Sequence, residues 1–456
     1  MYSVAIQGDG MGNKKLLFIT TRIFWPATSG RKVSLYYYCK GLHEQYGYDI
    51  YLYSFLEADQ SPTQSEQTKL DFIKEIQFAR EVRKSEIVAN LVTKSFTHLQ
   101  WPLQCSLFYS KKNEENIMDY VRKERFDVVI ADMIRTAPYI RAFEKEPCLK
   151  ILDMDDLLSK RYQRTLNSTV SGDNFLGQYS KHMPNIVNKQ LIPRIKKIAL
   201  NMEVSRLLRA EVEYAQRYDH VIFVSDVETD ELNQKLREAK CTTITLGVDY
   251  NYYSKQVPYM AMENRIAFIG NFGYTPNVDS LKVITANVLP KLDDKIRLLA
   301  VGKAPQEVED EFRGKRVDFT GAVEDLRPYI RQCSVFLAPI AYGSGIKTKI
   351  LEAMAMGVPV VTNSIGAEGI TAVNGVDFFV TDDFDEMARI VKGLLRDKQM
   401  AQMVGQAGAE YVRKYHQWKI FWKSSRMLVC DVLLCKTTHF RGANTNDEII
   451  GIDSFS

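Results

Sequence analysis

The chain has 456 residues, 45% of them hydrophobic and 25% charged, which is the composition of a folded globular protein and excludes disordered and collagen-like classes. Its 60 basic and 56 acidic residues give a net charge of +4, too small for the whole surface to attract nucleic acid, so phosphate binding must be local and no nucleic-acid partner is expected. At about 150 residues per domain, the length predicts two or three domains.

The first residues of the chain, 1–13, are polar and rich in glycine, and we expect them to form a leader outside the fold. No run of roughly 18 or more apolar residues occurs, so the sequence predicts neither a transmembrane helix nor a signal peptide. Seven scattered cysteines favour a reducing compartment, and a cytoplasmic location is expected. The cysteines and histidines form no ligand cluster, so they predict no metal site.

Short apolar runs bounded by small or turn residues alternate with helix-periodic segments. This alternation is typical of βαβ units, in which buried parallel strands read as continuous apolar runs. The first half contains predicted strands at 16–20, 49–55, 127–131, 150–153 and 220–225. The pattern then starts again, with predicted strands at 265–270, 297–302, 317–321, 335–339, 359–362 and 377–380. The sequence therefore predicts an α/β fold with two doubly wound domains.

The boundary between the domains is predicted between Tyr250 and Arg265, where the periodic pattern fails and turn residues gather. We expect one Rossmann-like domain over residues 14–255 and a second over residues 256–405. Open α/β sheets bind ligands beyond the C-terminal ends of their strands. The active site is therefore expected in the cleft between the two domains.

The strongest functional signal is the glycine-rich run AYGSGIKTKILEAMAMGVPVVTNSIGAEGI, residues 341–370. Gly343 and Gly345 precede a predicted helix, whose first N–H groups have no intrahelical partners and carry the positive end of the helix dipole. Lys347 and Lys349 lie at the same end, where cations oppose the dipole. A negatively charged ligand such as a diphosphate would resolve this conflict.

Glu352 lies further along the same predicted helix, about one turn after the lysines. Its carboxylate is suited to accepting both hydroxyls of a ribose. The alternative is a solvated helix whose lysines and glutamate pair only with one another. We prefer the nucleotide interpretation because the glycines, the lysines and the glutamate all occur where a nucleotide needs them.

The run GSGIKTKILEAMAMGVPVV resembles the donor-site segment of family 4 glycosyltransferases with the GT-B fold, in particular the bacterial exopolysaccharide branch. The resemblance extends to RIAFIGNFGYTPNVDSLKVI and RIFWPATSGRKVSLYYYCKGL and covers roughly residues 14–425. It implies two Rossmann-like domains facing across a cleft. It also implies a retaining transferase, active in surface polysaccharide synthesis, that moves a sugar from a UDP- or GDP-sugar to a hydroxyl of a glycan or lipid-linked acceptor without a metal ion.

Carried over residue by residue, the resemblance makes Glu352 the ligand of the ribose and places Lys347 and Lys349 at the diphosphate. Gly30 matches the glycine that lets the backbone of the first loop approach the phosphates and the acceptor. The predicted donor-binding residues are Gly30, Gly270, Gly343, Ser344, Gly345, Ile346, Lys347, Lys349 and Glu352.

The sequence departs from the family at Ser344, eight positions before Glu352, where the broad family often carries a second glutamate. A serine cannot supply that charge. The contact to the donor sugar is then expected from backbone N–H groups of the loop from Gly343 to Ile346, or from elsewhere.

The candidate catalytic residues are Asp132, just past the predicted strand 127–131, and Asp153, at the end of the predicted strand 150–153. An aspartate in this place can orient an acceptor hydroxyl or cap the next helix, and both interpretations stay open. Capping or a salt bridge is expected for Asp155 and Asp156. Asp153 and Asp155 formally read DxD, the metal motif of the other large glycosyltransferase fold, but the GT-B architecture does not need Mn²⁺. Neither a metal nor another cofactor is predicted.

The segment Lys181–Leu200 contains five Lys and Arg residues and no acidic residue, beside an apolar stripe that continues through Ile198 and Met202. Such a segment can lie on anionic lipid, which predicts a peripheral contact with the inner face of the membrane. A core helix with one solvated face is the alternative.

By resemblance, residues 406–430 form a helix that crosses back to the first domain, and residues 431–456 form a tail. The expected partners are a nucleotide sugar and a glycan or lipid-linked acceptor. Two other functions suit this fold. A nucleotide-sugar epimerase would need further acid/base residues in the cleft, and a non-catalytic partner subunit would agree with Ser344 and with the lack of a clear catalytic histidine.

Overall fold

The computed structural model describes residues 14–25, 27, 30–56, 70–96, 101–167 and 193–424. The predicted leader and tail lie outside these described residues. Within the described part, two separate parallel sheets form, each covered by helices. The predicted α/β class with two doubly wound sheets is confirmed.

The first sheet lies in the N-terminal half of the chain and has seven parallel strands. They are β1 (Lys15–Thr20), β2 (Asp49–Ser54), β3 (Ile73–Phe78), β4 (Val128–Asp132), β5 (Leu149–Asp155), β6 (His220–Phe223) and β7 (Cys241–Thr243). Their order in the sheet is β3-β2-β1-β4-β5-β6-β7. The strand order reverses between β1 and β4, where Leu16 pairs with Val128. The C-terminal ends of these two strands therefore flank a natural crevice for a ligand.

The second sheet repeats this topology with six parallel strands. They are β8 (Arg265–Ile269), β9 (Arg297–Val301), β10 (Val317–Phe319), β11 (Val335–Ala338), β12 (Val360–Thr362) and β13 (Phe379–Val380). Their order is β10-β9-β8-β11-β12-β13. The order reverses between β8 and β11, so the segments that follow these two strands flank the second crevice.

The helices connect the strands and cover both faces of the sheets. Those of the first domain are Gly30–Tyr46, Lys84–Asn90, Leu103–Phe108, Lys111–Glu124, Met133–Thr136, Leu158–Asn167, Pro193–Arg217 and Asp226–Asn233. Those that follow are Tyr250–Ser254, Thr275–Val283, Gln306–Glu311, Arg327–Arg331, Thr348–Ala355, Ser364–Ala367, Phe384–Arg396 and Lys398–Tyr415. No helix in the described ranges is long and apolar enough to cross a lipid bilayer.

The first sheet is buried on both faces, as its central strands show. Along β1, Leu17 and Ile19 pack into the cluster on one face, whereas Leu16 and Phe18 pack into the cluster on the other. All four side chains are fully buried. Because successive side chains of a strand point to opposite faces, a strand covered on both sides needs an unbroken apolar run. This is why the central strands were readable from the sequence.

Two strands of the first sheet, β3 and β7, were not predicted. Both are edge strands, because each has one neighbour in the sheet. The sequence of β3, IKEIQF, is half-exposed and carries polar residues between the apolar ones, and β7 has three residues. An edge strand with a solvated side gives no continuous apolar run, and polar residues there protect it from pairing with another chain.

The C-terminal part of the described chain returns to the first domain. The helix Lys398–Tyr415 packs in the second domain, and a separate helical segment, 418–424, packs on the first. Trp418 stacks on Tyr37 with ring centroids 4.5 Å apart, and Trp422 Nε1 donates a hydrogen bond of 2.8 Å to the carbonyl of Tyr37. The helix predicted over 406–430 is thus divided in two after Tyr415, and residues 425–430 lie outside the described ranges.

Candidate active site

The glycine-rich loop after β11 turns the chain from the second sheet into the helix Thr348–Ala355. Gly343 and Gly345 adopt φ angles of +151° and +64°, a region that residues with a Cβ atom rarely enter. Lys347 precedes the helix, and its side chain makes no capping hydrogen bond. The first N–H groups of the helix therefore have no side-chain cap at this end, and they form a favourable position for an anion.

The helix Gly30–Tyr46 of the first domain starts opposite this loop. A Cβ atom placed on Gly30 would lie 3.6 Å from Oγ1 of Thr348, the first residue of the helix in the second domain. The N-terminal ends of two helices, one from each domain, therefore meet across the cleft. Two positive dipole ends repel each other, and an anion between them would remove the repulsion.

Lys347 bends back onto its own loop. Its Nζ donates hydrogen bonds to the carbonyl oxygens of Ser344, at 3.1 Å, and Gly345, at 2.5 Å. Burial lowers the pKa of Lys347 to about 8, although the nearby carboxylates of Glu368 and Glu228 raise it. The ammonium group thus stabilises the folded shape of the loop as well as adding positive charge to it.

Lys349 is held by one residue of β8 and by one residue of the helix that follows this strand. Its Nζ donates a hydrogen bond of 2.5 Å to Oδ1 of Asn277 and lies 4.7 Å from the centre of the Phe268 ring. Burial lowers its pKa to about 8, and Glu352 opposes that shift. Because its hydrogen bond goes to a neutral amide, the ammonium group keeps its charge available for an anionic ligand.

Glu352 is half-buried on the same helix. Burial raises its pKa to about 7, against the lowering effect of Lys349 and of the Tyr253 and Thr348 side chains. Tyr253 belongs to the short helix Tyr250–Ser254, which packs against the core of the second domain. A carboxylate in this environment gains from any ligand that donates hydroxyl groups to its ionised form.

Gly270, at the end of β8, packs closely against its neighbours. A Cβ atom on Gly270 would come within 3.0 Å of Cγ of Asn277, and one on Gly302 would lie 2.1 Å from the carbonyl oxygen of Gly270. Asn277 in turn holds Lys349. The structure therefore places Gly270 behind the lysine, as part of its support.

Ser344 lies at the junction of the two domains. Its Oγ donates a hydrogen bond to the Asp156 carboxylate, and Arg161 Nε donates one of 3.1 Å to Ser344 Oγ. A Cβ atom on Gly345 would lie 3.6 Å from Cβ of Asp156. Ile346 points the other way, into the core of the second domain. The loop thus contacts the first domain directly through Ser344 and Gly345.

The basic helix Leu158–Asn167 contacts the loop as well, although its part in the site was not predicted from the sequence. Arg164 donates a hydrogen bond of 2.6 Å to the carbonyl of Gly343, and its guanidinium pairs with Glu368. Lys160 lies 3.5 Å from the same carboxylate. Residues three and four apart share one face of a helix, so the basic run KRYQR after the acidic DMDD segment was a usable signal.

Arg31, which follows Gly30 at the start of the first helix, was also missed. Its guanidinium lies 2.6 Å from Asp132, 2.9 Å from Asp153 and 3.1 Å from Asp155. The two aspartates of the DxD pattern therefore converge on a protein cation. Among the described residues, no three His, Cys, Asp or Glu side chains are arranged to hold a metal ion.

The two candidate catalytic aspartates are buried behind Arg31. Asp132 is fully buried and also accepts a hydrogen bond of 2.9 Å from Thr20 Oγ1, and its side chain does not cap the helix that follows. Burial raises the pKa of Asp153. Burial also raises the pKa of Asp155 to about 6, although Arg31 lowers it. For Asp155 and Asp156 the expected salt bridges are present, with Arg31 and Arg161.

Backbone strain accompanies this acidic cluster. Met133, directly after Asp132, has a φ of +64°, and Asp155 has a φ of +63°. Such angles are costly for residues other than glycine and collect at functional sites. Both lie at the C-terminal ends of strands, on the side of the sheet that faces the second domain.

The predicted membrane-facing segment falls mostly outside the described residues, which resume at residue 193. In its described part, Ile198 and Met202 are 60% and 42% exposed, whereas Leu200 and Val204 are buried. The apolar stripe that we read through Ile198 and Met202 therefore faces solvent here.

Part of the chain is similar to known glycosyltransferases. Residues 263–397 match the family model described as Glycosyl transferases group 1. The chain is 27% identical over 169 residues to phosphatidyl-myo-inositol mannosyltransferase of Mycobacterium leprae, covering 36% of this chain and 45% of that protein. It is also 27% identical over 103 residues to the capsular polysaccharide biosynthesis glycosyltransferase CapM of Staphylococcus aureus, covering 22% and 27%. The matches thus span less than half the length of these curated relatives.

A solved structure shares the overall fold. The structure of HepE from Anabaena in complex with UDP has a TM-score of 0.64 and 15% identity, and the match covers 91% of this chain and 100% of that one. The predicted GT-B architecture is confirmed by this likeness. The resemblance to group 1 glycosyltransferases is confirmed by the family match of the second domain.

Proposed function

We propose that this chain, whose residues 263–397 are a glycosyl transferases group 1 domain, is a retaining glycosyltransferase of the family 4 type. It takes a sugar from a UDP- or GDP-sugar and transfers it to a hydroxyl of a glycan or lipid-linked acceptor in surface polysaccharide synthesis. The names of the mannosyltransferase and of CapM support the acceptor class, and the UDP complex of HepE supports a uridine nucleotide. Membrane contact through the region of Ile198 and Met202 remains part of the proposal.

The proposal rests on two helix N-termini, one from each domain, that meet across the cleft. The helix of the second domain, Thr348–Ala355, also carries Lys349 and Glu352. The helix ends and Lys349 together suit a diphosphate, and Glu352 lies about one turn further along the same helix, where its carboxylate can accept the hydroxyls of a ribose. Cleavage of the bond between the sugar's anomeric carbon and the phosphate oxygen leaves negative charge on the diphosphate. Fixed dipoles and ammonium groups stabilise that charge without reorganising. No bound metal is needed for this role, so we propose that none is used.

Asp132 and Asp153 have a supporting part in this account. Both contact Arg31, which is the second residue of the helix that begins at Gly30. We propose that they hold Arg31, and with it the start of this helix, in place at the cleft. They act as positioning residues through Arg31.

The proposal is tested by nucleotide-sugar binding followed by transfer. A panel of UDP- and GDP-sugars should contain a member that raises the melting temperature, because a ligand at 100 times its dissociation constant stabilises a protein by about 2.7 kcal/mol. That donor should then give a glycosylated product with an acceptor extract. Interconversion of two nucleotide sugars without an acceptor product would favour the epimerase, and binding without turnover would favour the partner subunit. No response to any nucleotide would refute donor binding altogether.

A further inference from the structure

The Asp156 carboxylate has one oxygen without a hydrogen-bond partner. The residue is 4% exposed, and its Oδ2 accepts hydrogen bonds from Ser344 Oγ and, at 3.0 Å, from Arg161 Nε. Its Oδ1 is closed off from solvent and has no partner among the described residues. Buried polar atoms are nearly always hydrogen-bonded, so such an oxygen requires an explanation.

This carboxyl group keeps its charge in the buried position. Burial opposes ionisation, but Arg161 and Ser344 lower the pKa of Asp156 below its ordinary value. At neutral pH the unpartnered oxygen is therefore a strong acceptor that lacks a donor. A ligand hydroxyl that reached it would satisfy a charged acceptor, and charge-assisted hydrogen bonds are the stronger kind.

Asp156 lies beside the glycine-rich loop from Gly343 to Ile346, which we call the donor loop. Ser344 and Gly345, which contact Asp156, lie in the loop that leads into the helix Thr348–Ala355. On the proposed function, the diphosphate lies at the N-terminus of that helix, and the sugar is the next group along the donor. Gly345 packs beside Asp156, since a Cβ atom on it would lie 3.6 Å from Cβ of Asp156, and its φ of +64° is an angle that glycine tolerates.

We propose that Asp156 of the first domain accepts a hydrogen bond from a hydroxyl of the donor sugar and thereby selects the sugar. Ser344 shares the carboxylate and Arg161 keeps it ionised. A neutral, hydroxyl-bearing hexose suits this site, whereas a sugar acid would bring a second carboxylate to it and be repelled. This inference rests on the proposed function, because it assumes that the loop binds a nucleotide sugar.

The test compares two ligands on the variant Asp156→Asn, which keeps the size of the side chain and removes its charge. Calorimetry with UDP-glucose and with UDP separates the sugar from the nucleotide. We expect the affinity for UDP-glucose to fall at least about tenfold, in the range of one charge-assisted hydrogen bond, while the affinity for UDP changes less than about twofold. Equal losses for the two ligands, or no loss for either, would overturn the inference.

The matched control is Arg164→Gln. Arg164 also joins the first domain to the loop, through the Gly343 carbonyl and Glu368, but it does not contact Asp156. Because this variant loosens the contact between the domains, it should lower the affinities for UDP and for UDP-glucose by the same factor. If Asp156→Asn gave this same profile, its role would be to hold the domains together.

An exchange of the two partners gives a second, independent readout. The double variant Asp156→Ser with Ser344→Asp exchanges the two residues of this hydrogen bond. The carboxylate then belongs to the loop, and the hydroxyl belongs to the first domain. We expect it to regain at least part of the preference for UDP-glucose over UDP that Asp156→Asn loses. The proposal would be contradicted if the double variant preferred UDP-glucose over UDP no more strongly than Asp156→Asn does. Wild-type protein that bound neither these two ligands nor any other member of the panel of UDP- and GDP-sugars would instead refute the proposed function.

Discussion

Glu352 and Lys349 share one turn of a helix, and burial moves their pKa values toward each other, to about 7 and about 8. Both groups therefore change charge close to neutral pH. A ligand that donates hydroxyls to one and brings phosphate oxygens to the other favours the charged form of each. The energetic cost of burying this pair without a ligand is then recovered when the ligand binds.

The raised pKa of Glu352 makes a prediction for stability. A carboxyl group whose pKa is higher in the folded than in the unfolded state stabilises the fold fully below about pH 4.5, and this contribution is lost as the pH rises through about 7. Glu352→Gln removes this titration. We expect the free energy of unfolding of the variant to rise relative to wild type between pH 5 and pH 8, as measured by denaturant unfolding across that range.

Asp318 provides the control for the pH experiment. Hydrogen bonds from Arg297 and Arg265 lower its pKa to about 2, so its stabilising contribution is present above about pH 3.8 and is lost as the pH falls through about 2. Asp318→Asn should therefore shift the free energy of unfolding by a constant amount from pH 5 to pH 8. A constant difference for Glu352→Gln as well would contradict the environment that we describe for Glu352.

The residues of the site divide into those that the sequence could reveal and those that it could not. Lys349 and Glu352 are three positions apart on one helix, so their spacing alone predicts a shared surface. Arg31, Asp156 and Asn277 reach the site from elements that are distant in sequence. Which cation meets which carboxylate there depends on the packing of two domains, and no local pattern encodes it.

The helical segment 418–424, which we call the strap, returns from the second domain and packs on the first. The packing of this element can be tested. Gly41, inside the helix Gly30–Tyr46, lies so close to the strap that a Cβ atom would come within 2.0 Å of Trp422 Nε1. We expect Gly41→Ala to displace the indole ring, break its hydrogen bond to Tyr37 and cost about 1–3 kcal/mol. Denaturant unfolding measures this loss.

Gly393→Ala is the matched control for this substitution. Gly393 lies in the helix Phe384–Arg396, and a Cβ atom there would meet nothing within 4 Å. Because alanine is the better helix former, this variant should gain up to about 1 kcal/mol. A gain of similar size in Gly41→Ala would show that the strap does not pack where we describe it.

The elements themselves were predictable in proportion to their burial. Strand β4, covered on both faces, reads as an apolar run up to Asp132, and β11 is apolar throughout. The half-exposed edge strand β3 could not be recognised in this way. The division of the C-terminal helix beside His416 was also unreadable, because it depends on a contact between His416 and the carbonyl of Leu246.

At the scale of the whole molecule, the two domains contact each other beside the donor loop as well as through the strap. Val224, directly after β6 of the first sheet, is buried in the core of the second domain. The helix Leu158–Asn167 adds ion pairs to Glu368. The positive groups and the carboxylates of the cleft are therefore held at fixed positions before a ligand arrives, which is what preorganised stabilisation of a leaving group requires.

This arrangement predicts transfer that is insensitive to chelation. Lys347, Lys349 and the two helix ends supply the positive charge for the diphosphate. Turnover measured with and without EDTA should be the same. If EDTA abolished turnover and Mn²⁺ restored it, this expectation would be contradicted. Asp153 and Asp155 would then become the candidate ligands of the metal ion.

Calorimetry on Glu352→Gln at pH 8 shows whether Glu352 and its helix bind the nucleotide of the donor, because the wild-type carboxyl is mostly ionised at this pH. Charge-assisted hydrogen bonds to the ribose are each worth roughly 1.5–3 kcal/mol, and the glutamine amide weakens them without removing them. We therefore expect nucleotide affinity to fall by about one to two orders of magnitude without a lower melting temperature of the free protein. Lys349→Ala serves as the comparison, because it should weaken the binding of the diphosphate group and leave the affinity for a free nucleoside nearly unchanged. Unchanged nucleotide affinity in Glu352→Gln would contradict the account and leave a solvated helix in place of a donor site.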